Sequence, residues 1–485
     1  VALDPDSGLN RYGCGPRPDG AVVPFGSSTC STISTAAFAA VERLAGRLSE
    51  EAARGSEGEL YRDELQRIRA KLTGLLGLND LVGLKTILST SGTDLHRLAL
   101  HLVAAGAAAP PLVILPEPYE TGSGVVGALG GRVGPTAALR AAMTAPSLEA
   151  ALLQPQIMTA RSRAADGTLR PAHEIDEEIA AIAAAAARTG RKVLLVTMDV
   201  SKTGLISPSI ACAQDLKQRF GEQVEVMVDA CQLRLAPATV AAYLREDFLV
   251  AITGSKFVTG PAFSAALLVP EAAAERIQAA ALPRATADLC LQGELPAGWR
   301  GAPALKSGAN FGLVLRWEAA LEEMRRFNAL RPAAVAGFFG DFAEAVGERL
   351  AEDEAFEAVA VRPLERTGLG AAPSWDRIQT IFPFLLKRGG RSLTPVETLS
   401  VQRLMAADLG EWAGWEGAGR RIQLGQPVHC GQRGGADLSA VRLCLSGRLA
   451  VEALAPGGCG AAVVIDEALL ALDKAAWLTA RLGDR

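Results

Sequence analysis

Two short apolar runs constrain this chain more than any other feature, because each ends on reactive side chains. Val224–Val228 leads into Asp229-Ala230-Cys231-Gln232, and Phe248–Ile252 leads into Thr253-Gly254-Ser255-Lys256. Both runs are rich in apolar and β-branched residues, interrupted only by Glu225, have strand length, and stop at small or polar residues, so both read as buried strands. A further apolar run, Phe263–Val269, follows Lys256. A lysine bracketed by buried strands is in a costly place for an ammonium without a task. In an open α/β sheet the carboxyl ends of the strands share one rim, where ligands collect. Asp229 and Lys256 are therefore expected on a common rim.

A lysine and a carboxylate so placed suit pyridoxal 5'-phosphate. The lysine holds the aldehyde as a Schiff base, and the carboxylate keeps the pyridine nitrogen protonated so that the ring accepts electrons. Taken singly, Asp229 is an ordinary helix N-cap and Lys256 an ordinary surface lysine. Taken together, Asp229-Ala230-Cys231-Gln232, Lys256 and Gly260-Pro261 resemble the fold-type I pyridoxal phosphate enzymes. The resemblance is to the class V aminotransferase and cysteine desulfurase group, which carries Asp-x-x-Gln after one strand and lysine, then Gly-Pro, after the next. That group usually has a histidine before the lysine and two residues before Gly-Pro. Here Ser255 precedes it and Phe257-Val258-Thr259 intervene.

Other stretches take their meaning from this resemblance. Ser91-Gly92-Thr93 follows a short strand, Lys85–Leu88, and opens a helix, where free N–H groups and the positive end of the dipole suit a phosphate; the same pattern is also a plain cap. Thr253 and Ser255 offer hydroxyls to that phosphate. After the strand Pro111–Leu115 the family supplies a stacking ring, and Tyr119 is the only ring in this loop, with Thr121 a smaller substitute. Ser201 or Lys202, in a turn ending at Gly204, occupies the position near the cofactor's phenolic oxygen. Asn310, in Ser307–Gly312, matches a turn that reaches the neighbouring subunit's phosphate. Arg442 matches the arginine that grips the substrate carboxylate, a task for which a planar guanidinium fork is well shaped. His429-Cys430 resembles a loop thiol that attacks substrate sulfur in some cysteine desulfurases, although the spacing differs and a lone cysteine is commonly an inert buried residue.

Composition narrows the alternatives. With 485 residues, 49% hydrophobic and 21% charged, the chain has enough apolar surface for two domains. A net charge of -4 and the lack of a dense basic, aromatic-laced cluster argue against a nucleic-acid partner. The eight cysteines form no Cys-x-x-Cys pair, so no metal site is expected, and the default compartment is reducing and cytoplasmic. No apolar run has membrane-spanning length. Neither a nucleotide-gripping Gly-x-x-x-x-Gly-Lys nor a Gly-x-Gly-x-x-Gly follows a strand.

The expectation is thus an α/β fold-type I enzyme. It comprises an N-terminal arm (1–34) that packs across the surface or lines the active site, a large domain (35–330) with a mostly parallel, doubly wound sheet, and a small C-terminal α/β domain (331–485). Gln154–Arg170 reads as a loop over the site. The resemblance implies a homodimer with active sites near the interface. Its substrate would be a small amino acid bound as an external aldimine and deprotonated at Cα by Lys256, then carried through transamination or β/γ-elimination or replacement. The alternatives are a cysteine desulfurase or C-S lyase using Cys430, and a non-catalytic binding module that keeps the fold.

Overall fold

A computed structural model describes residues 3–5, 8–10, 12–130 and 153–482. Strands are numbered in chain order. The first, β1 (Val22–Phe25), belongs to the smaller of two sheets. The larger sheet holds β2 (Lys85–Ser89), β3 (Leu112–Pro116), β4 (Gln156–Ala160), β5 (Val193–Asp199), β6 (Ile206–Ser207), β7 (Val224–Ala230), β8 (Leu249–Thr253) and β9 (Ala265–Val269). Their order is β2-β9-β8-β7-β5-β3-β4, with β6 paired to β5. Strands β4, β3, β5, β7 and β8 are parallel, and β9 runs antiparallel between β8 and β2.

The near-continuous apolar runs reflect burial on both faces, as in parallel sheets generally. Alternate residues feed two different cores. Leu195, Val226, Val228, Val250 and Ile252 face one side, and Leu194, Val196, Met227, Leu249 and Ala251 the other. Because β7 and β8 are parallel neighbours, with Asp229 opposite Ala251, their following loops emerge side by side. This register is what brings Asp229 and Lys256 to one rim.

The smaller sheet adds β10 (Phe356–Ala358), β11 (Ile381–Arg388), β12 (Arg391–Ser392), β13 (Arg421–Arg433) and β14 (Ala436–Cys444), in the order β1-β13-β14-β11-β10 with β12 against β11. Its core is built with the helices Pro332–Glu352, Pro395–Met405 and Ala461–Ala480. The architecture is thus a large α/β domain with a mostly parallel sheet and a smaller C-terminal α/β domain.

The N-terminal arm belongs to both halves. β1 pairs in parallel with β13, from Val22 opposite Arg421 to Phe25 opposite Leu424, and the next residues run to the rim of the larger sheet. Two expectations change. Gln154–Arg170 is not simply a loop: it contributes edge strand β4, and Arg163 behind it is buried, donating to the Ala360 carbonyl at 2.8 Å. His429-Cys430 is not in a loop but on β13, whose pairing with β14 shifts register at Gly425/Val428 and at His429/Gly431. Among the described residues no helix is long and apolar enough to cross a membrane.

Candidate active site

A cavity of about 390 Å³ opens at the rim, between the ends of β7 and β8, the N-terminal arm and β14. Ser91, Gly92, Thr93, Asp229, Gln232, Thr253, Ser255, Lys256 and Arg442 all line it. Chain segments from four separate parts of the sequence therefore meet at one place.

The helix Gly92–Ala104 presents its N-terminus here, and its first N–H groups have no partner within the helix. Ser91 caps it: its Oγ accepts from the Asp94 amide at 3.1 Å and donates to the Asp94 carboxylate at 2.7 Å. Gly92 is required by close approach, since a Cβ there would lie 2.7 Å from the Cys231 Sγ.

One turn further along, His96 is buried and does work that no sequence pattern announced. Its Nδ1 lies 2.7 Å from the Gly92 carbonyl oxygen and its Nε2 3.1 Å from Asp229 Oδ2. Both nitrogens face acceptors, which calls for both to carry protons. Burial alone would push the His96 imidazolium down, but the Asp229 charge and hydrogen bond, with the Gly92 carbonyl, reverse it and the net shift is upward. For Asp229, burial pushes upward, and the charge and hydrogen bond of His96 together with Cys231 carry it below the usual carboxylate range. The Cys231 amide donates to its other oxygen at 3.1 Å. Asp229 is therefore held as a buried, ionised carboxylate.

Lys256 donates to the Thr29 carbonyl at 2.6 Å. Burial depresses its ammonium first; the charge of Arg442 depresses it further, against the opposing pull of Cys30, Cys231 and Asp229. The extra residue before Gly260 is absorbed in a tight turn: the Thr259 amide donates to the Lys256 carbonyl at 2.9 Å, and Thr259 has φ 63°. Phe257 is buried behind this turn, stacked on Trp375 with centroids 5.2 Å apart and planes 9° from parallel. Gln232 donates to the Ser28 carbonyl at 3.2 Å, while its buried Oε1 has no hydrogen-bond partner.

Arg442 reaches in from β14. Its guanidinium donates to the Gln426 carbonyl at 2.6 and 3.1 Å, to Thr29 Oγ1 at 3.0 Å and to the Lys202 carbonyl at 3.4 Å. All of these acceptors are neutral, and burial lowers its pKa.

No family model and no curated protein sequence matches this chain. Solved structures do. The cysteine desulfurase CsdA from Escherichia coli is 15% identical, with a TM-score of 0.56 over 96% of each chain. The cystine C-S lyase C-DES, solved with its product cysteine persulfide, is 15% identical with a TM-score of 0.52 over 93% of this chain and 97% of its own. Oryza sativa TDC, solved with PLP and tryptamine, is 14% identical with a TM-score of 0.50 over 94% of this chain and 83% of its own. The chain has the fold of the fold-type I pyridoxal phosphate enzymes.

Several expected site residues lie elsewhere in this fold-type I frame. Tyr119 is exposed and meets His429 with ring centroids 4.2 Å apart and planes tilted by 41°, outside the cavity; Thr121 lines the wall instead. Ser201 is buried, donating to Glu120 at 2.7 Å and accepting from the Leu205 amide, whereas its neighbour Lys202 lines the cavity. Asn310 caps the helix Phe311–Asn328 through its Oδ1, away from the cavity within this chain. Cys430 packs among Leu385, Val428, Leu438 and Ala440, and burial with the nearby charge of Glu120 pushes its thiol up to about 12. Cys430 lies at the register shift between His429 and Gly431 and does not line the cavity that holds Lys256.

The residues present fit pyridoxal phosphate. Lys256 is half-buried against a neutral carbonyl, Asp229 is kept ionised, the Gln232 Oε1 is orphaned, and Gly92 leaves a cradle at a helix N-terminus. Thr29, His96 and Glu120 also line the cavity, and sequence reasoning passed over all of them. In the sequence His96 is only a histidine among Leu95, Leu98 and Ala99, a pattern that names no partner.

Proposed function

We propose that this chain is a pyridoxal phosphate enzyme acting on a small amino acid by removal of its Cα proton. The observation that carries this reading is the meeting of half-buried Lys256 with a His96-held Asp229 carboxylate in one cavity. When bound, pyridoxal phosphate supplies the sink for the electron pair left at Cα.

The chain's own residues have separable duties. Lys256 holds the cofactor's aldehyde carbon and, once released, accepts the Cα proton at Nζ; its depressed pKa leaves a larger neutral fraction for that role. Asp229 keeps a proton on the pyridine nitrogen, and His96 keeps Asp229 charged. The Gly92 and Thr93 amides, with Thr253 and Ser255, hold the phosphate. Arg442 binds the substrate carboxylate, exchanging the Gln426 carbonyl for a charged, forked acceptor. Transamination and β/γ-elimination or replacement both begin from this arrangement, and the active unit is a homodimer. Desulfuration through Cys430 is disfavoured by the burial of that thiol outside the cavity.

Lys256→Ala is expected to abolish the yellow absorbance and all turnover across a panel of amino acids while the melting temperature changes little. Residual turnover in that variant refutes the assignment.

A further inference from the structure

The cavity carries more positive charge than its own carboxylates use. Lys202, Lys256 and Arg442 all line it, against Asp229 and Glu120. Asp229 is paired with His96. The Glu120 carboxylate accepts from Ser201 Oγ at 2.7 Å, from Thr203 Oγ1 at 2.7 and 2.8 Å and from the Thr203 amide at 3.1 Å, with Arg163 Nε at 3.5 Å. Its oxygens are thus already engaged. Arg442 has only carbonyls and a hydroxyl as partners, and Lys202 Nζ donates to the Pro118 carbonyl at 3.3 Å. The Arg442 guanidinium also touches the Lys202 backbone, so the two cations come from adjoining parts of one wall.

We propose that Lys202 and Arg442 select a substrate with two anionic groups, Arg442 taking the α-carboxylate and Lys202 a second carboxylate or similar oxyacid on the side chain. This rests on the reading of the cavity as an amino-acid site and names the class of amino acid it takes. A charge removed from water is costly unless matched by an opposite charge; Arg442 is buried against neutral acceptors and leaves that match to the ligand, with half-buried Lys202 beside it. Burial, and then the charge of Arg442, lower the Lys202 ammonium to about 8, against a partial opposing pull from Glu120.

The test is calorimetric titration of the full-length protein with succinate and with butyrate, which share a four-carbon chain and differ in one carboxylate. Succinate is expected to bind about 30-fold more tightly, the scale of one partly desolvated ion pair. Lys202→Met is expected to bring that ratio to within about threefold, and Lys202→Arg to retain roughly tenfold or more, which separates charge from folding. Equal affinities in the wild type overturn the proposal. So does a preference that survives Lys202→Met, which shows that another group reads the second carboxylate. Neither probe needs a Cα–H bond or the cofactor's aldehyde, so failure here is distinct from failure of the cofactor reading, which borohydride labelling of Lys256 reports separately.

Discussion

At the scale of single residues the site depends on one ion pair, His96 with Asp229, 133 positions apart in the chain and 3.1 Å apart in space. Removing one partner strands the other charge in the core. His96→Leu should therefore cost about 3–5 kcal/mol in denaturant unfolding. Adding Asp229→Asn to that variant should restore part of the loss; a double variant less stable than His96→Leu shows that the pair is not the source. The pair also sets a pH window. His96 is raised in the fold, so its contribution is full below its unfolded pKa and is lost as pH rises through the folded value; Asp229 is lowered, so its contribution is lost as pH falls through its own folded value. Unfolding free energy measured from about pH 5 to 9 should fall on the alkaline side in the wild type and flatten there in His96→Leu. The sequence could reveal Asp229 and Lys256 because each ends an apolar strand. It could not reveal His96, whose partner is fixed only when β7 and the helix Gly92–Ala104 meet.

Among the elements, β7 and β8 were legible for the same reason that they are buried: every residue of each is covered, so apolar residues dominate both, with Glu225 the one break before Asp229. β13 was not, because Gly425, Pro427 and Gly431 break the alternation where its register shifts. β4 was missed because it is a half-exposed edge without an apolar run. The turn after β8 shows how an element sets chemistry. Phe257, next to Lys256, stacks on Trp375 and meets Phe327 and Phe339 edge-on, so the lysine's backbone is anchored to the small domain's core. Phe257→Ala should destabilise by about 3–5 kcal/mol and lower turnover beyond what the lost stability explains. Gly92→Ala, with its Cβ 2.7 Å from the Cys231 sulfur, should cost about 1–3 kcal/mol by overpacking and weaken cofactor affinity. Equilibrium dialysis with pyridoxal phosphate reads the second effect, and unchanged affinity removes Gly92 from the phosphate cradle.

Across the whole molecule, Thr29 is where the two domains and the arm converge. Its carbonyl accepts from Lys256 on the large domain, and its hydroxyl accepts from Arg442 and from the Gln426 amide on the small one. Thr29→Val keeps the carbonyl and removes the hydroxyl, and should cost about 1–2 kcal/mol while raising the KM for amino acids more than it lowers kcat. The arm's place in the small sheet was not readable, since β1 is a four-residue strand whose partner lies about 400 positions away. The fold was readable from the resemblance that Asp229-Ala230-Cys231-Gln232, Lys256 and Gly260-Pro261 carry at the ends of their strands.

The measurement that bears most directly on the central claim is borohydride reduction of the protein reconstituted with pyridoxal phosphate, followed by peptide mapping. The cavity holds two lysines, Lys202 and Lys256, so the outcome is specific. A single reduced pyridoxyl label on the peptide carrying Lys256 is the predicted result. A label on Lys202, or none on either lysine, contradicts the account.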